Sequence, residues 1–212
     1  MGKARKQKTK SFKKSVLIIC PGITEKGYIS SLRADRYRGL HIDLEPKLDK
    51  ADKYSEVFCL LRKEYSTPKT ARICIYVNDM DTIKAQGKMK DYLDDMNKTV
   101  RASNDKLKII ESMPCIEFWF LLHYQYTDRC YPSYDSLKQT IRKVIPYYEK
   151  NEQWARKIYS ILEDKTNIAV KNADRTVTKK ESGEGDCSYT NMHELISKLD
   201  ELYAQLGSEH LS

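Results

Sequence analysis

Residues 72–81, with the sequence Arg-Ile-Cys-Ile-Tyr-Val-Asn-Asp-Met-Asp, constrain the fold more than any other segment. The run of five apolar or aromatic residues, rich in β-branched types, predicts a strand buried on both faces. Asp79 and Asp81 follow it, and side chains two residues apart in an extended backbone project to the same side. Ligands of open α/β sheets bind beyond the carboxyl ends of the strands. The pair is therefore a candidate Mg²⁺ site, and a polar loop after a core strand is the alternative.

Short apolar segments alternate with helical patterns along the first 125 residues. Strands are predicted at 15–20, 40–44, 72–78 and 107–110, and helices at 25–34 (capped by Thr24), 51–65, 89–100 and 115–124. This alternation predicts an α/β fold with a parallel sheet between layers of helices. The later part of the chain shows helical patterns at 136–145, 152–162 and 189–206, with an exposed, mobile loop at 174–186. Three regions follow: a basic arm (1–14), an α/β core (15–125) and a helical C-terminal region packed on the core (126–212).

The net charge of +8 lies almost entirely in the first 14 residues, which leaves +1 for the other 198. The arm has seven basic residues and no acid: Lys3, Arg5, Lys6, Lys8, Lys10, Lys13 and Lys14. Disordered basic arms often contact nucleic-acid backbones, and a solvated tail that keeps the protein soluble is the alternative. If the arm binds nucleic acid, its deletion weakens that binding and flattens the salt dependence.

Other features of the sequence exclude several classes of protein. No apolar run approaches the roughly 20 residues that a membrane span requires, and no secretory signal is expected at the N-terminus. The six cysteines form no CxxC pair and match no zinc spacing, which favours a reducing, cytoplasmic setting. No P-loop is present.

Two further carboxylates stand out. Glu117 begins a strongly apolar segment, where an isolated buried charge is too costly, so it must be paired, metal-bound or protonated. Glu25 follows the turn after the first strand and opens a helix, where the helix dipole alone is a sufficient reason for an acid. His123 lies about 120° around the helix from Glu117, and a core histidine bonded to the backbone is its expected role. The catalytic interpretation needs Asp79, Asp81 and Glu117 to converge without a Lys or Arg neutralising them.

Four sequence segments, taken in order, resemble the RloB-like proteins, whose fold is related to the Toprim catalytic domain. The segments are residues 18–28, the DxD-containing residues 76–81, residues 112–124 (Ser-Met-Pro-Cys-Ile-Glu-Phe-Trp-Phe-Leu-Leu-His-Tyr), and the C-terminal elements at 148–150 and 189–195. The third segment is the most specific. The resemblance covers about residues 15–206.

The resemblance implies a Toprim-like (Rossmann-like) sheet that uses Mg²⁺, or Mn²⁺, to cleave phosphodiester bonds. It implies a nuclease of antiviral defence against phage, with RNA favoured over DNA and an ATPase as a partner protein. Asp79 and Asp81 would bind metal with Glu117, and Glu25, Glu117, His123 and Lys150 would serve catalysis. Lys150 would stabilise developing negative charge.

One departure from the family pattern affects these expectations. The first motif of the family usually reads Cys-Glu-Gly, whereas this chain has Cys20-Pro21-Gly22. Proline has no titratable group, so the usual first-strand acid is missing. Either Glu25 or Glu117 replaces it, or the protein is a degenerate Toprim-like subunit that binds nucleic acid or a partner ATPase without cleaving.

Overall fold

The computed structural model describes residues 15–45, 53–66, 72–183 and 188–209. The basic arm lies outside these residues, so its predicted disorder and nucleic-acid binding stay predictions. The strands are β1 (Val16–Ile19), β2 (Ile42–Glu45), β3 (Ile73–Asp79), β4 (Leu107–Met113) and β5 (Tyr189–Thr190). The helices are α1 (Ile23–Asp35), α2 (Tyr54–Tyr65), α3 (Asp81–Ala85), α4 (Met89–Ser103), α5 (Glu117–Leu122), α6 (Tyr134–Val144), α7 (Glu152–Leu162), α8 (Thr166–Glu181) and α9 (Met192–Glu209), with a 3₁₀ turn at Glu163–Lys165.

The five strands form one sheet in the order β2-β1-β3-β4-β5. The first four strands are parallel, and β5 pairs antiparallel with β4. The predicted α/β fold with a parallel sheet between helices is therefore confirmed, in a Rossmann-like arrangement. The chain passes from β1 to β2 on one side and then to β3 on the other side of β1. The direction in which strands are added to the sheet therefore reverses at β1. Open α/β sheets bind their ligands at such a switch point.

The alternation of side chains along β1 explains why the sheet is buried on both faces. Val16 and Ile18 pack into one hydrophobic cluster, together with residues of α1, α5 and the C-terminal helices. Leu17 and Ile19 pack into a second cluster, with residues of α2, α3 and α4. Strand residues of opposite parity face opposite layers, so a continuously apolar strand is the one that fits between two layers of helices.

Three local predictions are wrong. Most of the predicted loop at 174–186 belongs to α8, because Ala169, Ala173 and Thr176 form a buried stripe at helical spacing beneath a polar outer face. Residues 189–190 form β5 rather than the start of a helix. Thr24 does not cap α1, since the helix begins at Ile23 with Gly22 at the N-cap.

The C-terminal region shares its core with the preceding residues. Side chains of α6, α7, α8 and α9 belong to the same hydrophobic cluster as β1 and α5. The boundary predicted at residue 125 stays a prediction. Among the described helices, none combines the length and the apolar character that crossing a membrane requires.

Candidate metal centre

The candidate site lies at the switch point, where β1 and β3 end. After β1 the chain turns through Pro21 and Gly22 into α1, and β3 ends at Asp79. A cleft of about 460 Å³ opens there, lined by Pro21, Gly22, Glu25 and Asp79 on one side and by α2, α3 and the start of α4 on the other. The volume is in the range of small-ligand sites.

Glu25 is buried in the first turn of α1, 3 % exposed, and its carboxyl group is close enough to that of Asp79 for its charge to raise the pKa of Asp79. Its side chain folds back over Gly22, so that a Cβ atom at position 22 would lie 2.0 Å from Oε2. Burial raises the pKa of Glu25, and the nearby Lys150 partly offsets the increase. The glycine of the turn is thus required for the position of this carboxylate.

Asp79 connects the end of β3 to the start of α5. Its Oδ1 accepts a hydrogen bond from the backbone N–H of Ile116 at 2.8 Å, and its Oδ2 lies 3.6 Å from Nζ of Lys150. Burial and then the charge of Glu25 raise the pKa of Asp79 well above its ordinary value. Glu25 and Asp79 therefore compete to remain ionised, and one proton between them relieves the repulsion.

Glu117 is fully buried at the start of α5, and it is paired, which is one of the three states expected of it (paired, metal-bound or protonated). Its Oε1 accepts a hydrogen bond from the hydroxyl of Tyr148 at 3.0 Å. Its Oε2 accepts one from Nζ of Lys150 at 3.2 Å. Both carboxylate oxygens are satisfied by residues of the C-terminal region.

Lys150 joins the two carboxylates, since its ammonium contacts both Glu117 and Asp79. Burial alone would lower the pKa of Lys150, but the charges of Glu117 and its neighbours outweigh burial and raise it. This lysine remains charged. It partly neutralises the site, so the requirement that the carboxylates converge without a neutralising Lys or Arg is not met.

Ligand atoms of Asp79, Cys115 and Glu117 lie within 4.8 Å of one another, close enough to hold one metal ion. The oxygens of the two acids suit a hard divalent cation. The thiol of Cys115 is a softer donor, and burial, followed by the charges of Glu117 and Asp79, raises its pKa well above the ordinary value. Cys115 therefore stays protonated beside the carboxylates.

Asp81 does not join this group, so the expected projection of Asp79 and Asp81 to one side is wrong. The strand ends at Asp79, Met80 is already in the helical region, and Asp81 lies in the first turn of α3. Its Oδ1 accepts a hydrogen bond from the backbone N–H of Thr82 at 2.6 Å. Side chains two residues apart share a side only while the backbone stays extended. The metal role predicted for Asp81 has no geometric support.

His123 is a core histidine, as the sequence analysis expected. It is fully buried, its Nδ1 hydrogen-bonds the carbonyl of Trp119 at 2.9 Å, and its ring packs edge-on against the Trp119 ring. Burial lowers the pKa of His123 to about 4. None of its described contacts reaches the carboxylates, so its predicted catalytic role gains no support.

Sequence reasoning missed two tyrosines of the site as functional residues. Tyr148 precedes Lys150 by two residues and binds Glu117, and the motif at 148–150 was a signal for it. Tyr134 begins α6, and Nζ of Lys150 lies 5.0 Å from the centre of its ring. No sequence pattern marked Tyr134, because the C-terminal region brings it to the site only through tertiary packing.

A family model described as RloB-like protein matches residues 16–199. The chain belongs to the RloB-like family. The matched segment includes all the residues that meet at this site, from Glu25 to Lys150. Searches of curated proteins and of solved structures gave no significant match.

Proposed function

We propose that this RloB-like protein is a metal-dependent phosphodiesterase that acts on nucleic acid. The observation that carries the proposal is the convergence of the Asp79 and Glu117 carboxylates at the carboxyl edge of the sheet. The proposal includes RNA as the favoured substrate, a role in defence against phage and an ATPase partner, and these elements rest on the family resemblance. The basic arm at residues 1–14 would add contacts to the nucleic-acid backbone.

The charges around the cleft support a bound cation. Within the carboxylate cluster, Glu25, Asp79 and Glu117 would bring three negative charges when ionised, and Lys150, which contacts Asp79 and Glu117, brings one positive charge. The remaining charge must be balanced by protons, as the raised pKa values of Glu25 and Asp79 indicate, or by a divalent ion. Metal binding would then displace protons, so affinity should increase as the pH rises.

The donor set fits Mg²⁺ or Mn²⁺ better than zinc. Mg²⁺ is usually held by one or two carboxylates together with water and substrate phosphates. Asp79 and Glu117 would be the ligands, with Glu25, whose charge acts on Asp79, as the third acid of the site. A zinc site would need the thiolate of Cys115, whose raised pKa opposes its ionisation.

Residues of this chain would perform distinct tasks around such an ion. A bound Mg²⁺ supplies Lewis acidity and lowers the pKa of a water ligand. Glu25, with its raised pKa, would accept the proton of an attacking water. The ammonium of Lys150 would turn from Asp79 toward the phosphate and stabilise the developing negative charge. Lys53 and Lys88, which line the cleft, would pair with flanking phosphates.

A second function is favoured by two observations. Pro21 replaces the usual acid, and Lys150 already contacts both carboxylates. A subunit that binds nucleic acid or a partner protein without cleaving would need no metal, because the lysine and protons would balance the charge.

The decisive experiment compares the native protein with Asp79→Ala and Asp81→Ala variants. Each is incubated with labelled single-stranded RNA and DNA in Mg²⁺, in Mn²⁺ and in chelator. We expect metal-dependent cleavage by the native protein and a loss of at least about 100-fold in Asp79→Ala. Asp81→Ala should retain most activity, because that carboxylate bonds only its own helix among the described contacts.

Calorimetry with Mn²⁺ separates the two functions without relying on a chosen substrate. The proposed enzyme should bind Mn²⁺, and Asp79→Ala should abolish the binding. Cleavage that persists in chelator and in Asp79→Ala would rule out this mechanism. RNA binding with no Mn²⁺ binding and no cleavage would establish the second function instead.

A further inference from the structure

The hydroxyl of Tyr134 is a buried polar group without a hydrogen-bond partner among the described residues. The residue begins α6, its ring is partly buried, and its hydroxyl oxygen is closed off from solvent. A buried donor that makes no hydrogen bond is a net cost to the folded protein. A phenylalanine would fill the same space without that cost, so packing alone does not account for the hydroxyl group.

The surroundings of Tyr134 are those of the candidate metal centre. Nζ of Lys150 lies 5.0 Å from the centre of the Tyr134 ring, and the same ammonium contacts Glu117 and Asp79. Burial raises the pKa of the Tyr134 phenol, and the charge of Glu117 raises it further. The hydroxyl therefore keeps its proton and is available as a hydrogen-bond donor.

The acceptors on Glu117 are already engaged by other residues. Tyr148 donates to its Oε1 and Lys150 to its Oε2. The two tyrosines near Glu117 therefore differ. The Tyr148 hydroxyl donates a hydrogen bond within the protein, whereas the Tyr134 hydroxyl has no acceptor among the described residues. A group that lies beside an ammonium and requires an acceptor matches an anionic oxygen.

We propose that the Lys150 ammonium uncovers the Tyr134 hydroxyl when it turns toward a bound phosphate, and that this hydroxyl then donates a hydrogen bond to a phosphate oxygen of the substrate. The assignment rests on the proposed function, because it needs a phosphate at the carboxylate site. It makes Tyr134 a substrate-binding residue contributed by the C-terminal region. The α/β core holds the acids, and α6 supplies a donor for the substrate.

The test uses Tyr134→Phe and, as a matched control, Tyr148→Phe in the full-length protein. Thermal unfolding is measured in chelator, and binding of a fluorescein-labelled 12-nucleotide single-stranded RNA is measured by anisotropy with Ca²⁺. Tyr134→Phe should keep or raise the unfolding temperature, yet weaken RNA binding about tenfold. Its affinity for Mn²⁺ should be unchanged. Tyr148→Phe should lower the unfolding temperature, because it leaves a buried carboxylate oxygen unpaired.

Two results would overturn the assignment. If Tyr134→Phe lowers the unfolding temperature as much as Tyr148→Phe, the hydroxyl already has a partner in the free protein. If Tyr134→Phe binds RNA as tightly as the native protein, the hydroxyl does not touch the substrate. The proposed function is judged separately: weaker RNA binding by Tyr134→Phe in a protein that cleaves nothing supports the binding role and refutes the nuclease.

Discussion

Asp79 illustrates how a candidate metal ligand can oppose stability. Its carboxylate is partly buried near Glu25, and both the loss of solvent and the charge of Glu25 raise its pKa. Above the ordinary carboxyl pKa the folded protein therefore binds more protons than the unfolded chain. The unfolding free energy then falls as the pH rises toward the raised pKa. The contact with Lys150 at 3.6 Å offsets only part of this repulsion.

We expect Asp79→Asn to be more stable than the native protein when no metal is present. Asparagine keeps an acceptor for the N–H of Ile116 and removes the charge beside Glu25. The gain should be about 0.5–2 kcal/mol near pH 8 in chelator, which is typical of relieved active-site repulsion, and is measured by urea unfolding. Mn²⁺ should stabilise the native protein and not the variant. A variant less stable than the native protein in chelator would contradict this account.

Gly22 controls the position of Glu25 without contributing a functional group. A Cβ atom at position 22 would lie 2.0 Å from Oε2 of Glu25. We expect Gly22→Ala to displace this flexible carboxylate while the fold persists, at a cost of less than about 1 kcal/mol at the N-cap. Mn²⁺ affinity, measured by calorimetry, should fall, and we expect Glu25→Gln to lower it to a similar extent.

The combination of both substitutions checks that explanation. If Gly22→Ala acts through Glu25, adding it to Glu25→Gln should change Mn²⁺ affinity little further, because effects of coupled residues do not add. Fully additive losses would show that the glycine acts by another route.

We expect the buried imidazole of His123 to make the unfolding free energy depend on pH, independently of any catalysis. Burial lowers its pKa to about 4, whereas an unfolded histidine titrates near 6.5. Between these values the unfolded chain binds the additional proton, so the His123 contribution to stability falls as the pH falls, by about 3 kcal/mol over the window. His123→Gln should remove this dependence in urea unfolding at about pH 7 and pH 4.5. Exposed His41 provides the control, and an unaltered pH profile in His123→Gln would refute the assignment.

Among the helices, the close packing of α1 on α7 positions the site. A Cβ atom at Gly27 would lie 2.5 Å from the Cβ of Ala155 and 2.8 Å from its backbone carbonyl. Only glycine permits this approach of the two helices. Since α7 follows directly after Tyr148 and Lys150, the contact fixes the segment that holds Glu117 relative to Glu25 on α1.

Gly27→Ala should therefore separate the two helices and destabilise the protein by about 1–3 kcal/mol, as overpacking of a core does. Ala155→Gly in the same chain should recover part of the loss, because it removes the nearest clashing atom. Urea unfolding of both single variants and the double variant tests this expectation. A Gly27→Ala protein as stable as the native one would show that α7 moves aside at no cost.

For the molecule as a whole, the structure makes the C-terminal region part of one core. Helix α5 is apolar on all sides, and residues 118–122 are 0 % exposed because α6 and α8 cover them. Glu117 also depends on Tyr148 and Lys150 for its hydrogen bonds. Cutting the chain at the predicted boundary would expose this helix and leave a buried carboxylate unpaired.

We expect a fragment of residues 15–125 to lack a cooperative unfolding transition, because it loses much of the larger hydrophobic cluster. Far-UV circular dichroism in urea, with the full chain as reference, tests the prediction. A sharp transition with native-like spectra in the fragment would instead support an independent α/β domain.

Periodicity alone was sufficient to predict the α/β class and most strands and helices. A strand between two layers of helices must be continuously apolar, and that pattern is local in sequence. Periodicity did not predict the second half of α8, because most of its residues are polar and face outward. Its buried stripe is narrow, and it is recognisable only from the helices that pack on it. Periodicity also failed at Asp81 because β3 ends at Asp79 and the backbone is already helical at Met80, so the two aspartates do not share an extended segment.

The sequence by itself determined the α/β class with its parallel strands, the family, and the requirement that Glu117 be paired, metal-bound or protonated, since each depends on residues close together in the chain or on an ordered set of motifs. Tertiary structure alone decided which acids meet: Glu25 over Gly22, Asp79 at the end of β3, and Glu117 beneath Tyr148 and Lys150. It also brought Tyr134 to the site and kept Asp81 out. Groups far apart in the sequence come together only when helices and strands pack. A hydrophobic pattern predicts which face of an element is buried, but it does not predict which side chains of different elements will be in contact.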